Sequence, residues 1–240
     1  MELWHGYEIE TFCFEDRTAH LVFPKAPRAD RAWLLKTEYW GAFPQAELAL
    51  VEKGFYLACV ENESRLAPKS DCDVKARFCK YLQETYGLKE KCVPVGMSCG
   101  GAHAVRFAGY YPQLVQCMFI DAPVLNFASY PGKIGHRECE YVWEHEFVKT
   151  YPNIMLEDLP QFPHHPINMA STLVEHQIPI IMVYGLEDQT VIYKENGTLL
   201  EKAYENTGLL KAVPVRYRGH HPHGMLEDQT VIVDFILNHA

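Results

Sequence analysis

The segment Gly-Met-Ser-Cys-Gly at residues 96–100 places a serine, Ser98, between two glycines. A Gly-x-Ser-x-Gly pattern has chemical meaning where a strand turns directly into a helix, because the serine then lies on a tight, strained turn with its hydroxyl exposed at the helix N-terminus. The apolar run at 92–96 predicts a buried strand, and residues 100–110 predict a helix. Ser98 is therefore the candidate nucleophile. A tight turn without a catalytic role is the alternative.

An acid and a base must accompany such a serine, and after this kind of turn they follow in the chain order acid, then histidine. The predicted strand at 178–184 is followed by Gly-Leu-Glu-Asp, which places Asp188 at the carboxyl end of a strand, where open α/β sheets keep their sites. Asp188 is the preferred acid, with Glu187 as its nearest rival and Asp121, after the preceding strand, as a weaker one. A helix cap is the structural alternative for Asp188.

Three histidines follow the last predicted strand, in the segment Gly-His-His-Pro-His-Gly at 219–224. A histidine just past that strand is in position to take the proton of the serine hydroxyl, with the acid fixing its tautomer. We select His220, which follows Gly219 directly. His221 and His223 remain alternatives.

A metal site is the competing interpretation of these histidines. It would combine His221 and His223 with His164 or His165 of the segment Gln-Phe-Pro-His-His-Pro at 161–166. Such a set lacks acidic or thiolate ligands at a recognisable spacing. The eight cysteines include no Cys-x-x-Cys pair. We therefore expect neither a metal nor a cofactor.

An oxyanion hole would need two backbone N–H donors near the serine. One comes from the residue after the nucleophile, Cys99, and the other from the loop after the third strand. That loop reads Glu-Tyr-Trp-Gly at 38–41, so Tyr39 or Trp40 is the second candidate donor.

Composition excludes several classes of partner. Lysine and arginine number 22 against 31 aspartates and glutamates, a formal charge of −9 without a long basic run, so we expect no nucleic acid and no anionic membrane as partner. Several cysteines fall in predicted buried strands, where they behave as small apolar residues. Together with the lack of a signal-like N-terminus, free thiols suggest a cytoplasmic protein.

Apolar runs alternate with helix-period segments along the chain, which favours a mostly parallel sheet flanked by helices on both faces. The pattern predicts eight strands and four further helices. The strands are at 7–14, 20–23, 32–37, 55–60, 92–96, 115–120, 178–184 and 212–218. The helices are at 45–53, about 71–86, 194–207 and 228–238. Asp71 and Asp228 are candidate helix caps, and Gly87 a helix terminator.

The stretch 122–175 breaks this rhythm, being aromatic and rich in proline and histidine. We interpret it as a cap-like insertion after the sixth strand, lying over the carboxyl edge of the sheet. Residues 1–240 are then a single domain of the α/β class.

Taken together, the motifs resemble the α/β-hydrolase superfamily. A narrower resemblance, to small bacterial esterase-like hydrolases described as prolyl-oligopeptidase-like or lipase-like, rests on Trp40–Pro44, Ile120–Pro123, His220–Gly224 and Val231–Ile236. The resemblance implies the α/β-hydrolase fold and a triad of Ser98, Asp188 and His220. Relatives often carry arginine after the nucleophile where this chain has Cys99.

These residues lead us to expect hydrolysis of small carboxylic esters through an acyl-enzyme, with O-acetylated sugars as one candidate substrate. A short-peptide serine peptidase is the enzymatic alternative, which would need a charged anchor for a peptide terminus. A catalytically inactive binding protein of the same fold is the non-enzymatic alternative. The expected partner is a small-molecule ester, and a homo-oligomer is left open.

Overall fold

A computed structural model describes residues 2–133, 137–221, 223 and 226–240. Within these residues, nine strands form one sheet in the order β1-β2-β3-β5-β4-β6-β7-β8-β9. Their bounds are β1 Glu2–Trp4, β2 Tyr7–Phe14, β3 Arg17–Phe23, β4 Trp33–Lys36, β5 Tyr56–Val60, β6 Val93–Met97, β7 Met118–Asp121, β8 Ile180–Gly185 and β9 Leu210–Val215.

The sheet is mostly parallel, as predicted. Strands β5, β4, β6, β7, β8 and β9 pair parallel to one another, whereas β1, β2 and β3 form an antiparallel edge joined to β5. The sheet has one strand more than the eight predicted. The additional strand, β1, has three residues, and a turn with positive φ at His5 and Gly6 folds it back onto β2.

Helices cover both faces of the sheet, because successive strand residues point to opposite sides. Leu34 of β4 packs with α1 and α8, whereas Trp33 and Leu35 pack on the other face with α2, α3, α6 and α7. The helix bounds are α1 Gln45–Glu52, α2 Lys69–Tyr86, α3 Cys99–Tyr110, α4 Arg137–Val142, α5 Val148–Thr150, α6 Ala170–Glu175, α7 Gly197–Ala203 and α8 Thr230–His239. None of the helices in the described ranges is both long and apolar enough to cross a bilayer.

A third apolar cluster joins the stretch 122–175 to the start of α3. Phe127, Phe147 and Phe162 of this stretch pack with Cys99 and Ala102. The stretch contains α4, a π-helical turn at Trp143–Phe147, α5, two 3₁₀ turns at Leu156–Gln161 and Pro166–Met169, and α6. Residues 134–136 lie outside the described residues. The interpretation of this stretch as a cap stays a prediction.

Two of the three predicted helix ends differ from the structure. Pro68 occupies the N-cap of α2 with an extended backbone, so Asp71 lies inside the first turn, where its carboxylate instead accepts the amides of Glu63 and Ser64. Thr230 begins α8, and Asp228 accepts its amide at 2.8 Å from two residues upstream. Gly87 ends α2 in the left-handed conformation, as predicted.

Candidate active site

Ser98 lies on a strained turn between β6 and α3. Its φ of 54° and ψ of −121° are unfavourable for a residue with a Cβ atom. Space requires glycine at position 96, because a Cβ there would lie 2.2 Å from the carbonyl oxygen of Gly100. The Ser98 amide donates to the carbonyl of Asp121 at 2.9 Å, which ties the turn to the end of β7. The local sequence thus folds into the turn that the motif predicts.

Ser98, His220 and Asp188 lie in one hydrogen-bonded chain. The Oγ of Ser98 is 3.0 Å from Nε2 of His220, and Nδ1 of His220 is 2.7 Å from Oδ2 of Asp188. A carboxylate only accepts, so Nδ1–H donates to Asp188 and Nε2 accepts from the serine hydroxyl. The three residues are 8%, 8% and 5% exposed, respectively. The structure therefore brings the three candidate residues together in the order a nucleophile, base and acid require.

The second oxygen of Asp188 is held by backbone. Its Oδ1 accepts the amides of Thr190 at 2.9 Å and Val191 at 2.8 Å. Asp188 thus bonds local amides, as a capping residue does, and orients His220 with its other oxygen. Two fixed bonds on Oδ1 leave little freedom to Oδ2, so the imidazole is held in one orientation.

The rival acids and bases differ from these three residues in exposure and in contacts. Glu187 is exposed, and its amide donates to the carbonyl of Arg218. Asp121 forms an ion pair with Arg218 and lies 3.2 Å from Nδ1 of His223. His221 is exposed, whereas His223 is buried. Pro222 and Gly224 of the histidine segment lie outside the described residues.

The metal set considered from the sequence is not brought together. His165 accepts the amide of Phe127 at Nδ1 and donates from Nε2 to the carbonyl of Leu159, so both ring nitrogens are used. His164 stacks on Tyr151. The group with metal-ligand proximity in the described ranges contains neither of them.

Of the two candidate oxyanion donors from the 38–41 loop, Tyr39 borders the cavity next to Ser98, and Trp40 does not. Tyr39 has a positive φ of 57°, which turns the chain at this point. The ring of Trp40 stacks between His20 and Trp4 at 4.6 and 5.7 Å. Cys99 is the first residue of α3, and burial raises the pKa of its thiol to about 11, so the thiol stays protonated at neutral pH.

The cavity next to Ser98 is small and largely aromatic. Its volume is about 160 Å³, and it is lined by Tyr39, Ala42, Phe43, Arg65, Met97, Ser98, Tyr130, His220, His221 and His223. Arg65 forms a two-point ion pair with Glu146 of the π-helical turn, at 2.5 and 2.7 Å. A larger depression of about 570 Å³ lies along α2 and the turn at Pro112–Leu114, and none of the candidate residues lines it.

Several solved structures share this architecture. The chain superposes on a putative dipeptidyl aminopeptidase IV from Bacteroides ovatus with a TM-score of 0.70 and 14% identity, over 97% of this chain and 35% of that one. A puromycin hydrolase matches with a TM-score of 0.67 and 18% identity, over 96% of this chain and 37% of that one. An acylaminoacyl peptidase from Pyrococcus horikoshii matches at 0.66 and 14%, over 90% and 38%. The chain has the α/β-hydrolase fold.

Because the sequence identities are low, these comparisons establish the α/β-hydrolase fold alone. The chain spans little more than a third of the length of each of these three proteins. Neither a protein-family model nor a curated protein sequence matches the chain.

The sequence did not predict a buried polar network beside the loop that contains Tyr39. Lys75 of α2 donates to Oδ1 of Asn62, and Nδ2 of Asn62 donates to the carbonyl of Thr37 at 2.7 Å and to Glu38 at 2.5 Å. His103 of α3 is 3.4 Å from Lys75. One feature of the sequence could have indicated this network. Lys75 lies three residues after Cys72 and three before Phe78, which places it on the buried face of α2.

A second contact group was also missed. Asp121 at the end of β7 binds both the guanidinium of Arg218 and the imidazole of His223. Arg218 directly precedes the loop that carries His220, so this group fixes the loop to the sheet. The sequence indicates Asp121 only as a rival acid.

Proposed function

We propose that the chain is a serine hydrolase that cleaves acyl bonds through an acyl-enzyme intermediate. The observation that carries the proposal is the hydrogen-bonded chain from Ser98 through His220 to Asp188. Ser98 attacks the carbonyl carbon as His220 takes its proton. His220 then protonates the leaving group, and water releases the acid by the same steps.

The oxyanion of the tetrahedral intermediate would accept from two backbone amides, those of Cys99 and Tyr39, with Trp40 as the alternative second donor. Cys99 opens α3, whose N-terminal amides and dipole favour negative charge. Loss of one such donor typically costs about two to three powers of ten in rate.

For the substrate we favour a short peptide or a related amide. The structural neighbours include proteins described as peptidases and a puromycin hydrolase. Arg65 lines the cavity and pairs with Glu146, and this pair would be the anchor for a charged peptide end. The pair is partly exposed, so a peptide terminus can reach it.

A small ester is the second candidate substrate. The cavity volume of about 160 Å³ suits a short acyl group. Phe43, Tyr39 and Tyr130 line the cavity, and aromatic rings of this kind suit the face of a sugar as well as a plain apolar group.

Labelling with a fluorophosphonate tests the proposed nucleophile. Wild-type protein and Ser171→Ala, a change at an exposed serine, should take one label, and Ser98→Ala should take none. Peptide mapping should place the label on Ser98. Unlabelled wild-type protein, or equal labelling of Ser98→Ala, would remove the hydrolase proposal.

A matched substrate set separates the two substrate classes. We would compare a dipeptidyl coumarin amide with a free amino end, the same amide with that end acetylated, and acetyl esters of a phenol and of a sugar. A peptidase should turn over an amide efficiently and discriminate between the two amino ends, and Glu146→Gln should reduce that discrimination. Turnover of the esters with no measurable amide cleavage would favour the ester candidate instead.

A further inference from the structure

Three imidazole rings meet at the cavity next to Ser98. The rings of His220, His221 and His223 have centroids 4.6 to 5.0 Å apart and interplanar angles of 74° to 86°. One ring nitrogen of each lies within 4.8 Å of those of the other two. The three rings are thus nearly perpendicular to one another, and each offers one nitrogen within this distance.

His223 supplies an independent sign that this volume takes a ligand. It is 1% exposed and borders the cavity. Its Nδ1 lies 3.2 Å from Asp121, whereas its Nε2 is buried without a hydrogen-bond partner among the described residues. A buried ring nitrogen without a partner is unfavourable, so a ligand at Nε2 would complete the group.

The other nitrogens of two of these histidines are already fixed as metal sites require. Metal-binding histidines commonly donate the second ring N–H to a carboxylate, which fixes the ring and increases its basicity. Asp188 is 2.7 Å from Nδ1 of His220, and Asp121 holds Nδ1 of His223 in the same way. In both residues the nitrogen left for a metal is Nε2.

We propose that His220, His221 and His223 form a binding site for a divalent transition-metal ion, and that the bound ion inhibits the enzyme. Three neutral imidazoles suit Zn²⁺, at Zn–N distances of about 2.0–2.1 Å. Tetrahedral coordination would bring the nitrogens to about 3.4 Å from one another, and His221 is the exposed member of the three. The inhibitory ion differs from the catalytic or structural metal that the sequence argued against.

Inhibition follows from competition for one atom. Nε2 of His220 is 3.0 Å from the Ser98 hydroxyl, and a nitrogen that ligates zinc cannot accept the serine proton. This consequence depends on the proposed hydrolase function. Metal binding itself does not depend on it.

Direct binding is tested with Zn²⁺ alone, by competition with a chromophoric chelator. Wild-type protein, Ser98→Ala and His176→Gln, a change at an exposed histidine outside the group, should each bind one ion with similar affinity. His221→Gln and His223→Gln should weaken binding at least about tenfold. His221 is exposed, so His221→Gln keeps the test valid if the buried His223→Gln unfolds. Wild-type affinity in His221→Gln, or in a folded His223→Gln, would overturn the site.

Fluorophosphonate labelling then tests inhibition. Saturating Zn²⁺ should slow labelling of Ser98 at least about tenfold, and a chelator should restore it; His221→Gln should need a correspondingly higher Zn²⁺ concentration. Labelling that zinc leaves unchanged would overturn the inhibition. Failure to label under any condition would instead overturn the hydrolase function and leave the binding result intact.

Discussion

The residues on the two sides of Ser98 form different kinds of contact. On one side, which we call the histidine side, two aspartates at strand ends hold imidazoles: Asp188 holds His220 and Asp121 holds His223. The opposite side, the amide side, is the loop at residues 37–39. There Lys75 donates to the side chain of Asn62, and Asn62 donates to the Thr37 carbonyl and the Glu38 carboxylate.

This difference separates the residues that would take part in the reaction from the residues that hold a loop in place. On the histidine side, Asp188 and His220 belong to the proposed triad, and both His220 and His223 border the cavity. On the amide side, Lys75 and His103 are 0% exposed and reach the cavity only through the loop they hold. Substitutions on the histidine side should therefore reduce rate, and those on the amide side should first reduce the free energy of unfolding.

The largest expected effect is on the histidine side. His220→Gln removes the base, and kcat for the preferred substrate should fall about a millionfold. The free energy of unfolding should fall by no more than about 1–3 kcal/mol, since the remaining cost is one unsatisfied buried oxygen of Asp188. Single-turnover kinetics and urea unfolding measure the two quantities. Retention of more than a hundredth of the wild-type rate would exclude His220 as the base and move the assignment to its neighbours.

The acid gives the next largest effect and has a matched control beside it. Asp188→Asn keeps the shape but favours the wrong tautomer of His220, so kcat should fall about 10⁴-fold. Glu187→Gln changes an exposed carboxylate and keeps the backbone amide that donates to the carbonyl of Arg218, so its kcat should stay within about twofold of wild type. If Glu187→Gln reduced kcat more than Asp188→Asn, the acid would be Glu187 and not Asp188.

The sequence predicts the histidine side better than the amide side for a physical reason. The Ser98 turn is encoded locally, by a strand, a glycine-flanked serine and a helix in succession, and the order of Asp188 and His220 follows from that of the strands. The alternation of apolar runs and helix-period segments predicted the mostly parallel sheet flanked by helices, and the resemblance implied the α/β-hydrolase fold. β1 was not, because its three residues are too short to show a period.

The amide side could not be found because its contacts are tertiary. Lys75 meets Asn62 only once α2 has folded back against the loop before it. Asp121 and Arg218 are 97 residues apart, and neither residue alone suggests the other. That Tyr39 rather than Trp40 borders the cavity also depends on the tertiary fold, because no local pattern in the sequence distinguishes the two residues.

Among substitutions on the amide side, Lys75→Met should have the largest effect on the free energy of unfolding. Methionine fills a similar volume but leaves Asn62 Oδ1 without its donor and removes the cation near the partly buried Glu38 carboxylate. We expect the free energy of unfolding to fall by about 1–3 kcal/mol. Lys80→Met, on the same helix but exposed, should change the free energy by less than about 0.5 kcal/mol. Urea unfolding compares the two, and equal stabilities would remove the structural role of the network.

The smallest expected effect is a pH dependence of the same network. Burial, and then the ammonium of Lys75, hold the pKa of His103 well below its ordinary 6.5. The contacts agree with a neutral ring: Nε2–H donates to the carbonyl of Ser64 at 2.9 Å, and Nδ1 lies 3.4 Å from Nζ of Lys75. In the unfolded chain the same histidine is protonated below about pH 6.5.

Between the folded and unfolded pKa values, the unfolded state binds more protons, so stability falls as the pH falls. From pH 7.5 to 5.5, His103 should therefore cost the wild type about 1 kcal/mol that His103→Gln does not lose. Glu38, whose pKa burial raises, acts in the opposite direction but is present in both proteins. Urea unfolding at the two pH values measures this difference. Identical pH dependence in both proteins would mean that His103 is protonated in the folded state, and that the amide side carries a charge where its contacts indicate none.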